Sequence, residues 1–373
     1  MAELMSYKPG LRVALLTVAV CTAFAAIYLS QNSLNPTVFV AVGEEDLEIR
    51  EYAERLLDDV VLRPELGHDG RFFFVQANDP WLLDPEDHAE ILDRPVYRAQ
   101  RMAYPVLASA GGLLPPGGVV WGMLIVNVLA MGAGAWASAV LANRYGGSAW
   151  WGLAFPLNIG LLSEFNIGGG GVVASAAAFV AVLALSNDRL LRGSLLFAVA
   201  CLAREVMLIS VAGTALWFLA THRRREATLV VLPSAAAVGV WALYVRGVFP
   251  EEEPVGAGNL GFPFVGFLKN FENWLRDPFE LVVGLVVVLV LLIFLFRAWR
   301  TPSLTAWAFA PFAALAFLLA EPVWNGYFNI TRAVAPAITA YFLVAFATTA
   351  EKQAELERAN PIWSWVGAPR KAP

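Results

Sequence analysis

The sequence predicts an all-α polytopic membrane protein, with about ten membrane-crossing or membrane-embedded helices and one long extracytoplasmic loop after the first. Three observations carry this. The 373 residues are 58% hydrophobic and 15% charged, with a mean hydropathy of +0.60, whereas soluble chains are roughly 45–50% apolar and about 25% charged. The apolar residues come in blocks that meet or approach the ~20 residues of a helical span. Lysine and arginine gather in short loops, as they do on the cytoplasmic side of membrane proteins.

Taken in order, Lys8 and Arg12 precede the apolar run Val13–Leu29, which reads as an uncleaved first span with its N-terminus inside. The loop 31–101 follows, its first half (Glu44–Asp59) dominated by Glu and Asp. Val106–Leu114 is too short to cross and is closed by Pro115, Pro116, Gly117 and Gly118. Val119–Leu141 returns to Arg144. Ala149–Leu162 goes out and Val172–Leu185 comes back, joined by Gly168–Gly171 and followed by Asp188, Arg189 and Arg192. Ser194–Ala220 has cationic ends on both sides, with Arg223, Arg224 and Arg225 after it. A hairpin of two short helices meeting near Arg204–Glu205 keeps both ends inside. Thr228–Leu243 goes out to the loop 249–278, which carries Glu251, Glu252 and Glu253. Leu281–Phe296 returns to Arg297 and Arg300, Leu304–Leu319 goes out, and Ala333–Ala347 comes back. Residues 1–350 then form one transmembrane domain and 351–373 a cytoplasmic tail with Arg370 and Lys371.

A net charge of −5 offers no basic face to a nucleic acid. Cys21 and Cys201 lie inside apolar blocks and read as small core residues. His68, His88 and His222 lack zinc-ligand spacing.

Polar residues in or beside membrane segments mark function more often than surface charges do. Four places stand out, each with a structural reading beside the functional one. Gly67-His68-Asp69-Gly70-Arg71-Phe72-Phe73-Phe74, followed by Asp79-Pro80-Trp81, is either an Asp-Gly turn or an acid presented beside an aromatic platform. Tyr97-Arg98-Ala99-Gln100-Arg101-Met102-Ala103-Tyr104-Pro105 is either an interfacial anchor or a lipid-phosphate site. Arg204-Glu205, in the middle of an apolar stretch, is either a structural pair or part of a site. Trp324-Asn325-Gly326-Tyr327-Phe328-Asn329-Ile330-Thr331-Arg332 is either an aromatic and arginine belt or a hydroxyl- and anion-binding group.

A first span, a long outer loop with Asp69-Gly70 before aromatics and then Asp79-Pro80, and an arginine-rich entry Tyr97–Pro105 together resemble bacterial GT-C-type membrane glycosyltransferases. These include relatives of polyprenyl-phosphate-mannose-dependent enzymes and of the GPI mannosyltransferases. Leu202-Ala203-Arg204-Glu205 is similar to the family's Leu-x-Arg-Glu stretch. Two positions depart from the pattern: His68 stands where a tyrosine is usual, and the outer loop has no Asp-x-Asp motif, which leaves a divalent metal open and no other cofactor expected.

The resemblance implies a GT-C-like bundle in a bacterial cytoplasmic membrane, with both termini inside and the active site outside. It implies an inverting transfer of sugar from a polyprenyl-phosphate-linked donor to a glycan, lipid or protein acceptor. Asp69 is then the general base. Arg101, Arg204 and Arg332, with Arg98 as an alternative, stabilise the leaving phosphate. His68, Gly70, Phe72, Phe73, Asp79, Tyr104, Glu205, Asn325 and Tyr327 hold sugar or acceptor. The rival readings are a transporter or flippase of a lipid-linked sugar, which needs the arginines but no catalytic acid, and a non-catalytic scaffold of cell-envelope glycan assembly.

Overall fold

The computed structural model describes residues 2–113, 117–250 and 259–345. Pro115, Pro116, the Glu251–Glu253 run, the end of the last apolar block and the tail 351–373 lie outside them. Among the described residues the chain is helical, with isolated bridges in place of strands. The helices are α1 (Ala2–Gln31), α2 (Leu47–Leu56), α3 (Gly70–Asn78), α4 (Pro85–Ile91), α5 (Pro95–Ala99), α6 (Ala103–Ser109), α7 (Gly118–Arg144), α8 (Ile159–Asn166), α9 (Gly171–Ser186), α10 (Leu190–Ala203), α11 (Leu208–Ala220), α12 (Arg224–Val248), α13 (Val265–Arg276), α14 (Pro278–Arg300), α15 (Leu304–Ala316), α16 (Glu321–Trp324) and α17 (Tyr327–Ala345). Five are long and apolar enough to cross a membrane: α1 from Lys8, α7, α12, α14 and α17. The apolar helices α9, α10, α11 and α15 are shorter, and a 3-10 turn at Ala149–Ala154 leads into α8.

The cationic loops converge on one end of the bundle. Helix α1 runs antiparallel along α7, since Gly10 lies against Trp136 and Val140 while Gly132 lies against Val18. At the same end Arg144 donates to Asn187 at 3.2 Å, Arg223 pairs with Asp188 at 3.3 Å, and the Tyr145 and Thr305 hydroxyls are 2.8 Å apart. Arg297 donates to the carbonyl of Ala345. The Arg223–Asp188 pair joins the start of α10 to the end of α11, so these two helices form a hairpin. Its vertex is Arg204, extended at φ −153°, and the short turn Glu205–Met207.

The hairpin fixes the depth of the vertex. Helices α9, α10 and α11 have 16, 14 and 13 residues, or ~20–24 Å each at ~1.5 Å per residue. That falls short of a ~30 Å hydrocarbon core. Helix α12, with 25 residues, runs on past the vertex and meets the polar segment 32–101, where the Trp241 indole donates to the carbonyl of Ala99 at 2.7 Å. The vertex is therefore recessed, and its irregular backbone needs a polar cavity or protein around it.

The segment 32–101 is folded, not open. Two extended stretches cross at Gly43 and Gly67: Arg63 N–H donates to Val42 and His68 N–H to Ala41. Asp46 caps α2 by accepting from Ile49 N–H and pairs with Arg71.

Candidate active site

Asp69 opens α3 but does not cap it. Its carbonyl accepts from the N–H groups of Phe72 and Phe73, while its carboxylate makes no capping bond and points to two arginines. Its Oδ2 takes the Arg332 guanidinium at 2.5 Å and its Oδ1 that of Arg98 at 3.2 Å. Gly70 makes this placement possible. A Cβ there would lie 2.1 Å from the carbonyl oxygen of Ile167 and 2.6 Å from that of Val40, so only glycine lets α3 start directly on the end of α8. A similar contact sets α8 on α17, where a Cβ on Gly160 would meet the Thr331 carbonyl at 2.2 Å, one residue before Arg332.

Behind Asp69 lies Glu164 on α8, only 1% exposed. Its Oε1 accepts from Arg332 at 2.7 Å and Arg204 at 3.1 Å, and its Oε2 accepts the Gly171 N–H at 3.0 Å. That N–H belongs to the first residue of α9, where the helix dipole favours a negative charge. On the other wall Arg101, 7% exposed, forks onto Glu205 at 2.9 and 3.0 Å and donates to the Tyr97 hydroxyl. This pair joins the polar segment to the hairpin vertex. Arg98 forks onto Asp93 at 2.8 and 2.9 Å and lies over the Phe72 ring at 3.6 Å.

A cavity of about 550 Å³ is lined by Asp69, Tyr97, Arg98, Arg101, Arg204, Glu205 and Arg332. Much of the rest of its lining is apolar, from Leu260, Phe312, Leu315, Leu319, Val323 and Pro336. Leu260 is held there by pairing of its strand-like segment with the end of α15: Gly261 N–H donates to Leu318 and Ala320 N–H to Asn259. Such a recess fits an anion with an apolar tail, because fixed guanidiniums match phosphate oxygens and the apolar lining takes hydrocarbon. Burial on its own would raise the pKa of Asp69, but the Arg332 and Arg98 guanidiniums outweigh it and hold the carboxyl well below the usual carboxylate range. Asp69 is therefore an anion throughout the neutral range.

The structure brings together Asp69, Arg98, Arg101, Arg204, Arg332 and Glu205, as the sequence suggests. Most of the residues expected to hold sugar or acceptor are elsewhere, because local packing claims them. Tyr104 is fully buried, with its hydroxyl donating to the Met123 carbonyl and accepting from Asn127. Phe73 packs on Tyr104. Phe72 carries the guanidiniums of Arg98 and Arg71 on its ring and faces no open space. Gly70 is a packing glycine. Asp79 binds the His88 imidazole at 3.2 Å and the Asp84 N–H. Tyr327 packs on Phe279 and Phe328, with its N–H on Glu280. Asn325 offers its carbonyl to Asn329, and Asn329 reaches the cavity instead. His68 is exposed outside the cavity lining. Glu164 is the site residue that sequence reading missed. Its signal is a lone carboxylate just past an apolar block and just before four consecutive glycines. Among the described residues no three His, Cys, Asp or Glu side chains gather as metal ligands.

Comparison of the chain with protein-family models and with curated proteins finds no match to either.

Proposed function

We propose that the protein is a membrane glycosyltransferase of the GT-C type, with about ten crossing or embedded helices. Its cationic end and both termini face the cytoplasm, and its cavity opens toward the outer face. The donor is a polyprenyl-phosphate-linked sugar and the acceptor a hydroxyl of a glycan, lipid or protein. The observation that carries this reading is one cavity that combines two carboxylates, Asp69 and Glu205, with four guanidiniums and a run of apolar side chains.

In this reading the phosphate of the donor binds Arg204 and Arg332, and the tail lies along Leu315 and Leu319. Arg204 is the most available cation, since among the described residues its ion pair is through Nη1 to Glu164, whereas Arg101 is forked onto Glu205 through two nitrogens. Arg98 is not a phosphate ligand, because its Nε and both terminal nitrogens are already used by Asp93 and Asp69. It positions Asp69 instead.

A carboxylate held by two guanidiniums is a weak base, and an effective general base needs a higher affinity for protons. The phosphate supplies the change. As it draws Arg332 toward itself, Asp69 loses one counter-charge and burial raises its proton affinity. The acceptor oxygen then attacks the anomeric carbon from the face opposite the phosphate, the carbon–oxygen bond to phosphate breaks, and Asp69 takes the acceptor proton. The anomeric centre inverts.

The test is transfer from a polyprenyl-phosphate sugar in proteoliposomes. Asp69→Asn keeps the shape and lowers turnover by at least a hundredfold, in line with the usual contribution of a general base. Turnover near wild type would remove Asp69 from that role. Donor consumption by the purified protein separates transfer from flipping.

A further inference from the structure

Four guanidiniums (Arg98, Arg101, Arg204, Arg332) meet four carboxylates (Asp69, Asp93, Glu164, Glu205): Asp93, Arg98, Asp69, Arg332, Glu164 and Arg204 form an unbroken series of ion pairs, and Arg101 with Glu205 forms a separate pair beside it. The neighbouring Arg71–Asp46 pair is balanced in the same way. The cavity is thus rich in phosphate-binding donors and yet carries no surplus of positive charge.

The carboxylates differ in how freely they respond to a ligand. Asp93 has half its side chain exposed and Glu205 about a third, 50% and 31%, so water screens both. Glu164 is 2% exposed at the side chain and is tied to the α9 N-terminus by the Gly171 N–H. Its charge is shielded from water and shared by Arg204 and Arg332, two of the four arginines that line the cavity.

Resting on the glycosyl-transfer reading above, we propose that Glu164 is a positioning residue that sets donor specificity: it restricts the site to a singly charged phosphodiester and disfavours a lipid diphosphate. Charge follows the chemistry. A phosphodiester brings one negative charge. When the bond to the sugar breaks, the phosphate leaves with the electron pair and two negative charges, while Asp69 becomes neutral by taking the acceptor proton. The total in the cavity is unchanged. A diphosphate adds one more negative charge at every stage, beside a buried carboxylate and against apolar side chains, where like charges repel strongly.

The experiment measures binding of two probes to the purified protein in nanodiscs: a polyprenyl methyl phosphate with one charge and the matching polyprenyl methyl diphosphate with two. Wild type binds the monophosphate at least tenfold more tightly. Glu164→Gln retains an oxygen to accept from Gly171, removes the charge, and narrows the preference to about twofold by strengthening diphosphate binding. A merely structural Glu164 would weaken both probes alike and leave their ratio unchanged, which overturns the proposal. If Glu164→Gln is not recovered folded, the wild-type ratio decides, and a ratio near one overturns it. Failure of wild type to bind either probe removes the glycosyl-transfer reading along with it, a different pattern from an unchanged ratio.

Discussion

Two arginines that line the same cavity have different tasks because their nitrogens are differently occupied. All three nitrogens of Arg98 are engaged by Asp93 and Asp69, whereas the ion pair of Arg204 among the described residues is through one nitrogen to Glu164. Arg204→Ala therefore lowers affinity for a polyprenyl phosphodiester by about tenfold to a hundredfold, the size of one charge-assisted hydrogen bond. Arg98→Ala leaves that affinity within about threefold and lowers turnover, because it frees Asp69 from its position. Titration of binding and turnover in the two variants checks both halves. A second residue, His88, is 2% exposed and bound to Asp79. Burial lowers its proton affinity, against the opposing pull of Asp79. A histidine whose value is depressed on folding stabilises the protein above its ordinary value of about 6.5 and loses that contribution as pH falls below it. The unfolding temperature falls on acidification from pH 7 to 5, and His88→Gln flattens this part of the curve. At this scale the sequence exposes Asp69, Arg101, Arg204 and Arg332, because a charge beside an apolar block is visible in one dimension. It hides Glu164, whose role comes from partners 40 and 168 positions away. It also overstates the aromatics, since nothing local says that Tyr104 turns inward to Asn127 and away from the cavity.

The elements meet at glycines. Helix α3 begins on the end of α8 because Gly70 has no side chain, and this contact delivers Asp69 to Arg332. Gly70→Ala pushes a methyl group into two carbonyl oxygens, so it lowers the unfolding temperature and abolishes activity together. Gly239, in the middle of α12 with nothing within 4 Å of its missing Cβ, is the control. Gly239→Ala leaves stability unchanged or raises it by up to about 1 kcal/mol through helix propensity. Thermal unfolding of the two variants tests whether the α3–α8 contact carries the difference. The apolar blocks are legible in sequence as elements, and the hairpin at Arg204–Glu205 follows from arginines at both of its ends. The folding of 32–101 into short helices is less legible, since the caps and the Gly43–Gly67 crossing depend on residues brought together by the fold.

Over the whole molecule, charge is separated along the bundle. The loops with Arg144, Arg189, Arg223–Arg225 and Arg297 share one end, and the acidic segment 32–101 covers the other. Between them the shorter helices α9, α10 and α11 leave a recess that the polar segment, the α15–α16 turn and α17 enclose. Short helices, with irregular backbone and charge at their tips, are stable in a membrane only around such a recess. The central claim is that this recess holds a lipid-linked phosphate beside Asp69. A structure of the protein in a lipid bilayer with a non-hydrolysable polyprenyl-phosphate sugar tests it most directly. The account predicts the phosphate within hydrogen-bond distance of Arg204 and Arg332, the tail along Leu315 and Leu319, and Asp69 released from Arg332 toward the far face of the sugar. Lipid bound instead in the apolar groove between Trp151 and Val286, with Asp69 still paired to both arginines, would contradict it.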